Sequence, residues 1–226
     1  MLRATHRTTD EEQHVSAYPV LYEADYTEQR NRLTVFFRAL LVIPHAFVAC
    51  FVGIAVFFTV VAAWFAVVLT GRYPPALYEF NAGALRWLAR LTAYGYLQVD
   101  KFPPFGFADD PAYPVHVHVA APAPEYSRGK ALLRILLAIP VMIIAYAMSL
   151  VLGVAVIAAW LIAVITGTMP KPLYDGLDFC IAYTMKAYAY IFLLTETYPP
   201  LSNTDPTLAS QGGRDALTAT PGGLEG

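Results

Sequence analysis

Residues 39–71 read ALLVIPHAFVACFVGIAVFFTVVAAWFAVVLTG, and residues 135–170 read ILLAIPVMIIAYAMSLVLGVAVIAAWLIAVITGTMP. These runs of 33 and 36 residues contain no Asp, Glu, Lys or Arg. A helix rises about 1.5 Å per residue, and about 20 apolar residues cross a hydrocarbon core of about 30 Å. Each run is therefore long enough to span a bilayer, with residues left over for an interfacial lead-in. Pro44 and Pro140 stand near the two starts and predict a break or a kink, because proline lacks an N–H and clashes with the preceding turn. The segments 32–43 and 128–139 then read as amphipathic approaches near the headgroups. Both runs end in Thr-Gly, with Pro74 and Pro170 three residues later. Gly71 and Gly167 are the expected left-handed caps.

The rest of the composition agrees. The chain has 226 residues, 57% hydrophobic and 14% charged, where a soluble domain carries about a quarter charged residues. A net charge of -2 argues against a nucleic-acid partner. Cys50 and Cys180 each lie inside an apolar run, so neither a disulfide framework nor a cysteine metal site is expected. About 35 residues of mixed charge precede the first run, unlike a secretory signal, so the N-terminus is expected to be retained.

The two runs are copies of each other. Shifting the chain by 96 residues aligns 32–105 with 128–201 without a gap, and 22 of the 74 positions are identical. The matches include Arg38/Arg134, Pro44/Pro140, Trp64/Trp160, Gly71/Gly167, Tyr78/Tyr174, Tyr94/Tyr190 and Pro103-Pro104/Pro199-Pro200. Upstream, Tyr18-Pro19-Val20 recurs as Tyr113-Pro114-Val115. A unit of about 95 residues is thus used twice. Each unit opens on a short extended segment, clearest where Val115, Val117 and Val119 alternate with His116 and His118. The two segments are expected to pair into a small sheet. Each unit closes on an apolar and aromatic helix, 82–99 or 177–195, which carries Arg86 and Arg90 or Lys186.

Charge placement bears on topology. With two crossings, seven cations face eight across the membrane and the repeats insert upside down relative to each other. If the aromatic helices also cross, the tails and the inter-repeat stretch carry ten cations and the short opposite loops carry Arg72 and Lys171. Cytoplasmic loops are rich in Lys and Arg, so four crossings with both termini in the cytoplasm are expected.

No motif for phosphate, nucleophilic or metal catalysis is present. His116 and His118 fall on one face of a strand, but a zinc site recruits four ligands. His45 has Val141 as its counterpart. Arg38 and Arg134 are expected to anchor the helices by snorkelling to headgroups, with a ligand role as the alternative. Glu79/Asp175 and Arg90/Lys186 repeat opposite charges in both copies, and at membrane depth such groups must pair or face water. They predict either an ion pair between helices or, at the repeat interface, a polar path or an anionic-lipid site.

The residues Ile43-Pro44-His45, Ala63-Trp64-Phe65, Thr70-Gly71-Arg72-Tyr73-Pro74, Tyr94 and Phe102-Pro103-Pro104-Phe105 carry a resemblance. The chain resembles bacterial, actinobacterial-type membrane proteins of the domain of unknown function 4389 family, with the unit present twice. The second copy keeps Ile139-Pro140, Trp160, Thr166-Gly167, Pro170 and Tyr198-Pro199-Pro200, but loses the histidine, the Gly-Arg pair and the second arginine. The resemblance implies a bacterial inner-membrane location and no activity.

The expected protein is an all-α integral membrane protein, a tandem two-repeat helical bundle with short juxtamembrane β segments. Repeat 1 is set at 17–105 and repeat 2 at 111–201, between disordered tails at 1–16 and 202–226. The expected function is non-enzymatic, a scaffold or accessory subunit of the cell envelope. The alternative is a small oligomeric carrier or channel for an ion, solute or lipid. Small residues at Ala62-Ala63 and Ala158-Ala159 permit close helix packing. The expected partners are the lipid bilayer and a membrane protein or second copy; no cofactor, metal or nucleic acid is expected.

Overall fold

In the computed structural model, residues 18–201 are described; the two expected tails at 1–16 and 202–226 lie outside them. The chain runs β1 (Val20–Ala24), α1 (Arg32–Phe36), α2 (Arg38–Thr70), α3 (Pro75–Gly95), β2 (Val115–Val119), α4 (Arg128–Thr166) and α5 (Lys171–Ile191). Local chemistry sets the boundaries. Asn31 caps α1 by accepting from the N–H groups of Leu33 and Thr34, and Ser127 caps α4 by accepting from Lys130. Gly71 and Gly167 end α2 and α4 at φ of 73° and 75°, the left-handed caps expected from Thr-Gly.

The prolines do not break the helices. Pro44 lies inside α2 and Pro140 inside α4. The interruption in repeat 1 falls instead at Phe37, between α1 and α2, and repeat 2 has none before Gly167. A proline in a helix interior costs about 3 kcal/mol. The remaining backbone hydrogen bonds of a helix of roughly nine turns outweigh that loss.

The repeats meet through reciprocal contacts that define an approximate two-fold axis. The N–H of Tyr126 donates to Gly71 O at 2.8 Å, and that of Arg30 to Gly167 O at 2.8 Å. Trp64 Nε1 reaches Ala131 O at 2.8 Å, and Trp160 Nε1 reaches Val35 O at 3.1 Å. Tyr78 OH donates to Ala120 O and Tyr174 OH to Ala24 O. In every pair the two halves are 96 residues apart. β1 and β2 pair antiparallel as expected, and the axis passes through the Tyr22↔Val117 register.

These contacts place the start of α4 against the end of α2, and the start of α2 against the end of α4. The long helices are therefore antiparallel. Four crossings with both short loops on one side require them to be parallel, so that expectation is overturned.

Three layers result. α2 and α4 lie side by side; α3 and α5 pack beneath them and on each other; the sheet packs on α3 and α5. The middle layer is enclosed, with most of α3 and α5 buried, including Trp87, Tyr94, Tyr183 and Tyr190. The outer helices keep only a narrow stripe buried, Arg38, His45, Val56, Ala63 and Val67 on α2. Both are long and apolar enough to cross a membrane.

Candidate functional site: arginine clamps and flanking grooves

Arg38 and Arg134 do not snorkel. They are 3% and 5% exposed and turn inward to the ends of α3 and α5. Arg38 donates to Tyr94 O at 2.8 Å, Val99 O at 2.7 Å and Asp100 Oδ1 at 2.5 Å. Arg134 donates from Nε to Tyr190 O at 2.9 Å and also bonds Thr195 O. The guanidinium carbons stand 4.4 Å and 3.7 Å from the ring centres of Tyr94 and Tyr190. The reason is the helix end. The last carbonyls of a helix lack intrahelical partners and carry partial negative charge, so a cation is favoured there.

A left-handed residue aims those carbonyls. Leu97 and Leu193 have φ of 66° and 59°, and the N–H groups of Gln98 and Leu194 reach back to Ala93 O and Ala189 O. This is the turn that glycine ordinarily closes. Leucine fills it in both repeats and buries its side chain. The sequence carried a faint signal, since Leu97/Leu193 is one of the identical pairs, but a leucine in an apolar segment does not stand out. Asp100 and Glu196 then tie the turns to the caps, accepting from the N–H of Asn31 at 3.0 Å and of Ser127 at 2.8 Å.

The repeated charges Glu79/Asp175 and Arg90/Lys186 are not brought together. They lie eleven residues apart on single helices, about 16 Å along the axis. Glu79 is exposed, and Asp175 pairs with Lys171 at the surface. Arg90 is 3% exposed and donates to Gly106 O at 2.6 Å and Ala108 O at 2.9 Å, fastening the loop after α3. Lys186, also 3% exposed, lies in α5, where burial pushes its ammonium pKa down.

His45 is fully buried. Its Nε2 lies 3.0 Å from Pro103 O, and its ring stacks on Phe105 at 3.9 Å. His116 and His118 stand on the outer face of the sheet, where His118 is 3.7 Å from Glu23. No cluster of three or more metal-ligating side chains occurs among the described residues. One buried chain of polar groups escaped sequence reasoning: Tyr22 OH donates to Gln98 Oε1, and Gln98 Nε2 donates to Asp178 Oδ1 at 3.1 Å.

Two open grooves flank the clamps, at equivalent positions of the two repeats. The first, about 400 Å³, runs between Arg38 and Val42 of α2, Leu97, and Val156 and Trp160 of α4. The second, about 430 Å³, runs between Arg134 and Ala138 of α4, Leu193, and Val60 and Trp64 of α2. Apart from arginine and tryptophan, the named walls are aliphatic.

Residues 32–106 and 128–202 each match the family model described as Domain of unknown function (DUF4389). No curated protein and no solved structure matches the chain. The two matched segments begin at the residues that start α1 and α4 and together cover more than half of the sequence, so the chain belongs to the DUF4389 family and carries its unit twice.

Proposed function

We propose that this protein is a non-enzymatic membrane scaffold or accessory subunit, embedded from one side through α2 and α4. The observation that carries the reading is the distribution of exposed apolar side chains. Of 34 large ones among the described residues, 25 lie on these two helices. A water-soluble monomer does not expose a contiguous patch on that scale.

Length and layering favour helices lying in the membrane plane over upright crossings. The exposed apolar strips run from Leu40 to Leu69 and from Leu132 to Ile165, about 44 Å and 50 Å of helix. Fitting either into a core of about 30 Å needs a tilt near 50°, outside the usual range of about 0–40°. An upright pair also carries the sheet to membrane depth. There Glu23 and His118, 46% and 65% exposed, and the sheet edges would meet lipid. In the plane, the two-fold axis stands along the membrane normal, and both repeats sit at the same depth with the same cations.

The twelve Lys and Arg among the described residues then share one side, and the positive-inside tendency makes that side the cytoplasm. The bacterial inner membrane is the expected location, and a membrane protein or second copy the expected partner. A carrier or channel needs a polar path, and Arg90 instead spends its guanidinium on loop carbonyls.

Cys50, exposed on α2, offers a native attachment point for a fluorophore, whereas Cys180 is buried. Depth-dependent quenching by nitroxide lipids at Cys50 and at Phe58→Cys, Met142→Cys and Val154→Cys (in a Cys50→Ser background) should report one common depth. A profile deep in the helix middles and shallow at their ends would sink the in-plane reading. A scaffold role predicts recovery of a stoichiometric membrane partner in mild detergent, and ion or solute flux from purified protein in liposomes would replace it with a carrier.

A further inference from the structure

α2 and α4 differ from an ordinary interfacial helix. On both, the buried residues fall on one narrow stripe, and exposed positions spread over about half of the circumference. No Asp, Glu, Lys or Arg occurs at 39–71 or 135–170, so neither helix has a charged shoulder to hold it at headgroup level. The crest of α2, opposite its buried stripe, is aromatic. Phe47, Phe51, Phe58 and Phe65 recur at spacings of four and seven residues, which share a helix face. All four are more than half exposed, and the rings of Phe47 and Phe51 lie 5.0 Å apart, edge to face. Their counterparts in α4 are Ile143, Ala147, Val154 and Leu161. Exposed rings add little to the protein's own core, so folding does not account for their size.

A helix with its side chains is about 10–12 Å across, and one leaflet contributes about 15 Å of a hydrocarbon core of about 30 Å. A pair sunk by one diameter fills most of that leaflet and none of the other. Two antiparallel helices about 8–10 Å apart and about 44–50 Å long cover roughly 900 Å². Area added to one leaflet alone bends the bilayer so that it is convex on the protein's side. We propose that α2 and α4 form a one-sided membrane wedge, by which the protein seeks and stabilises bilayers convex toward it. The phenylalanine crest of α2 fills the packing defects that open between lipids on such a surface. A protein interface carries a polar rim, whereas this face has no charged residue along its length and fits acyl chains. The inference rests on the in-plane membrane reading.

Full-length protein, labelled on its N-terminal amine with a small fluorophore, is reconstituted from detergent into vesicles of phosphatidylcholine and phosphatidylglycerol of mixed diameter. Single-vesicle imaging then gives the amount of protein per unit lipid area. Density should rise about fivefold or more between vesicles of about 200 nm and about 40 nm diameter. F47I/F51A/F58V/F65L gives repeat 1 the crest of repeat 2 and stays apolar throughout. It should keep its unfolding midpoint in detergent, while the rise in density falls to about half or less. A density independent of diameter, or a variant that sorts as steeply as the native sequence, would overturn the proposal. Liposome flotation separates the two levels. Protein that floats with a flat density profile loses the wedge alone, and protein that fails to float loses the membrane reading with it.

Discussion

Trp64 and Trp160, and Gly71 and Gly167, make the same contacts in the two repeats, and Arg38 and Arg134 hold equivalent carbonyls, to which Arg38 adds an ion pair with Asp100. By contrast, Arg30, His45, Gln98 and Asp178 have Tyr126, Val141, Leu194 and Ala82 as counterparts. The shared set closes helix ends and joins one repeat to the other, work that any stable copy of the unit needs. The unshared set is buried or half-buried polarity confined to part of the molecule, which a folding unit alone does not explain. Function in a duplicated scaffold is therefore better sought where the copies disagree.

The equivalence of the clamps is the easiest part to break. Arg38→Ala strands the buried carbonyls of Tyr94 and Val99 together with Asp100, and Arg134→Ala strands those of Tyr190 and Thr195. Removing one partner of a buried charged network costs about 3–5 kcal/mol. Both variants should lower the unfolding midpoint in detergent by similar, large amounts. A tolerated Arg134→Ala beside an unfolded Arg38→Ala would show that the two clamps are not equivalent.

His45→Val tests the unshared set by making repeat 1 resemble repeat 2. It orphans Pro103 O, which is buried, at a cost of about 1–3 kcal/mol, and removes the ring stacked on Phe105. The loop at 102–110 should become more sensitive to limited proteolysis. Unchanged cleavage would mean that the histidine does not hold this loop.

Much of the fold was legible because the duplication multiplied weak signals. One Thr-Gly is an unremarkable pair, but the same pair at the same place in two copies marks a helix end, and both glycines are left-handed caps. The alternating valines of β2 likewise located the strand that pairs with β1. The site was less legible. An arginine near an apolar run reads the same in sequence whether it reaches headgroups or the carbonyls of a helix end 56 residues away. Pro44 and Pro140 misled because the loss of one hydrogen bond is a weaker term than the rest of a long helix's hydrogen-bond ladder. The direction of α4 relative to α2 was invisible, since it follows from contacts between residues distant in sequence, such as Trp64 with Ala131 and Trp160 with Val35, and from no local pattern.

The caps offer a finer contrast. A left-handed Cβ costs about 1 kcal/mol, so Gly71→Ala and Gly167→Ala both destabilise. At Gly71 the added carbon sits 3.4 Å from Arg128 Nε, an ordinary contact. At Gly167 it falls 2.9 Å from Arg32 Nε and displaces a side chain that donates to Thr166 O at 2.9 Å. Losing that bond adds about 0.5–1.5 kcal/mol. Gly167→Ala should therefore melt lower than Gly71→Ala, and the reverse order would contradict the geometry around Arg32.

The smallest effect expected has the opposite sign and belongs to repeat 2 alone. Burial pushes the Asp178 carboxyl above its ordinary value of 3.8, and the hydrogen bond from Gln98 only partly opposes this. The folded protein thus binds this proton more tightly than the unfolded chain does. Stability from this group is highest below the ordinary carboxylate value and falls as pH rises through the raised one. Asp178→Asn keeps an oxygen for Gln98 Nε2 and removes the titration, so it should stabilise the protein at neutral pH and flatten the slope on the acid side. Ala82 at the equivalent place in repeat 1 contributes no such slope. Unfolding midpoints of the two proteins, followed from about pH 4 to pH 7, should diverge as the pH rises. Parallel curves would mean that Asp178 holds its charge in contact with water, and that the chain through Gln98 to Tyr22 is a surface feature instead of a buried asymmetry.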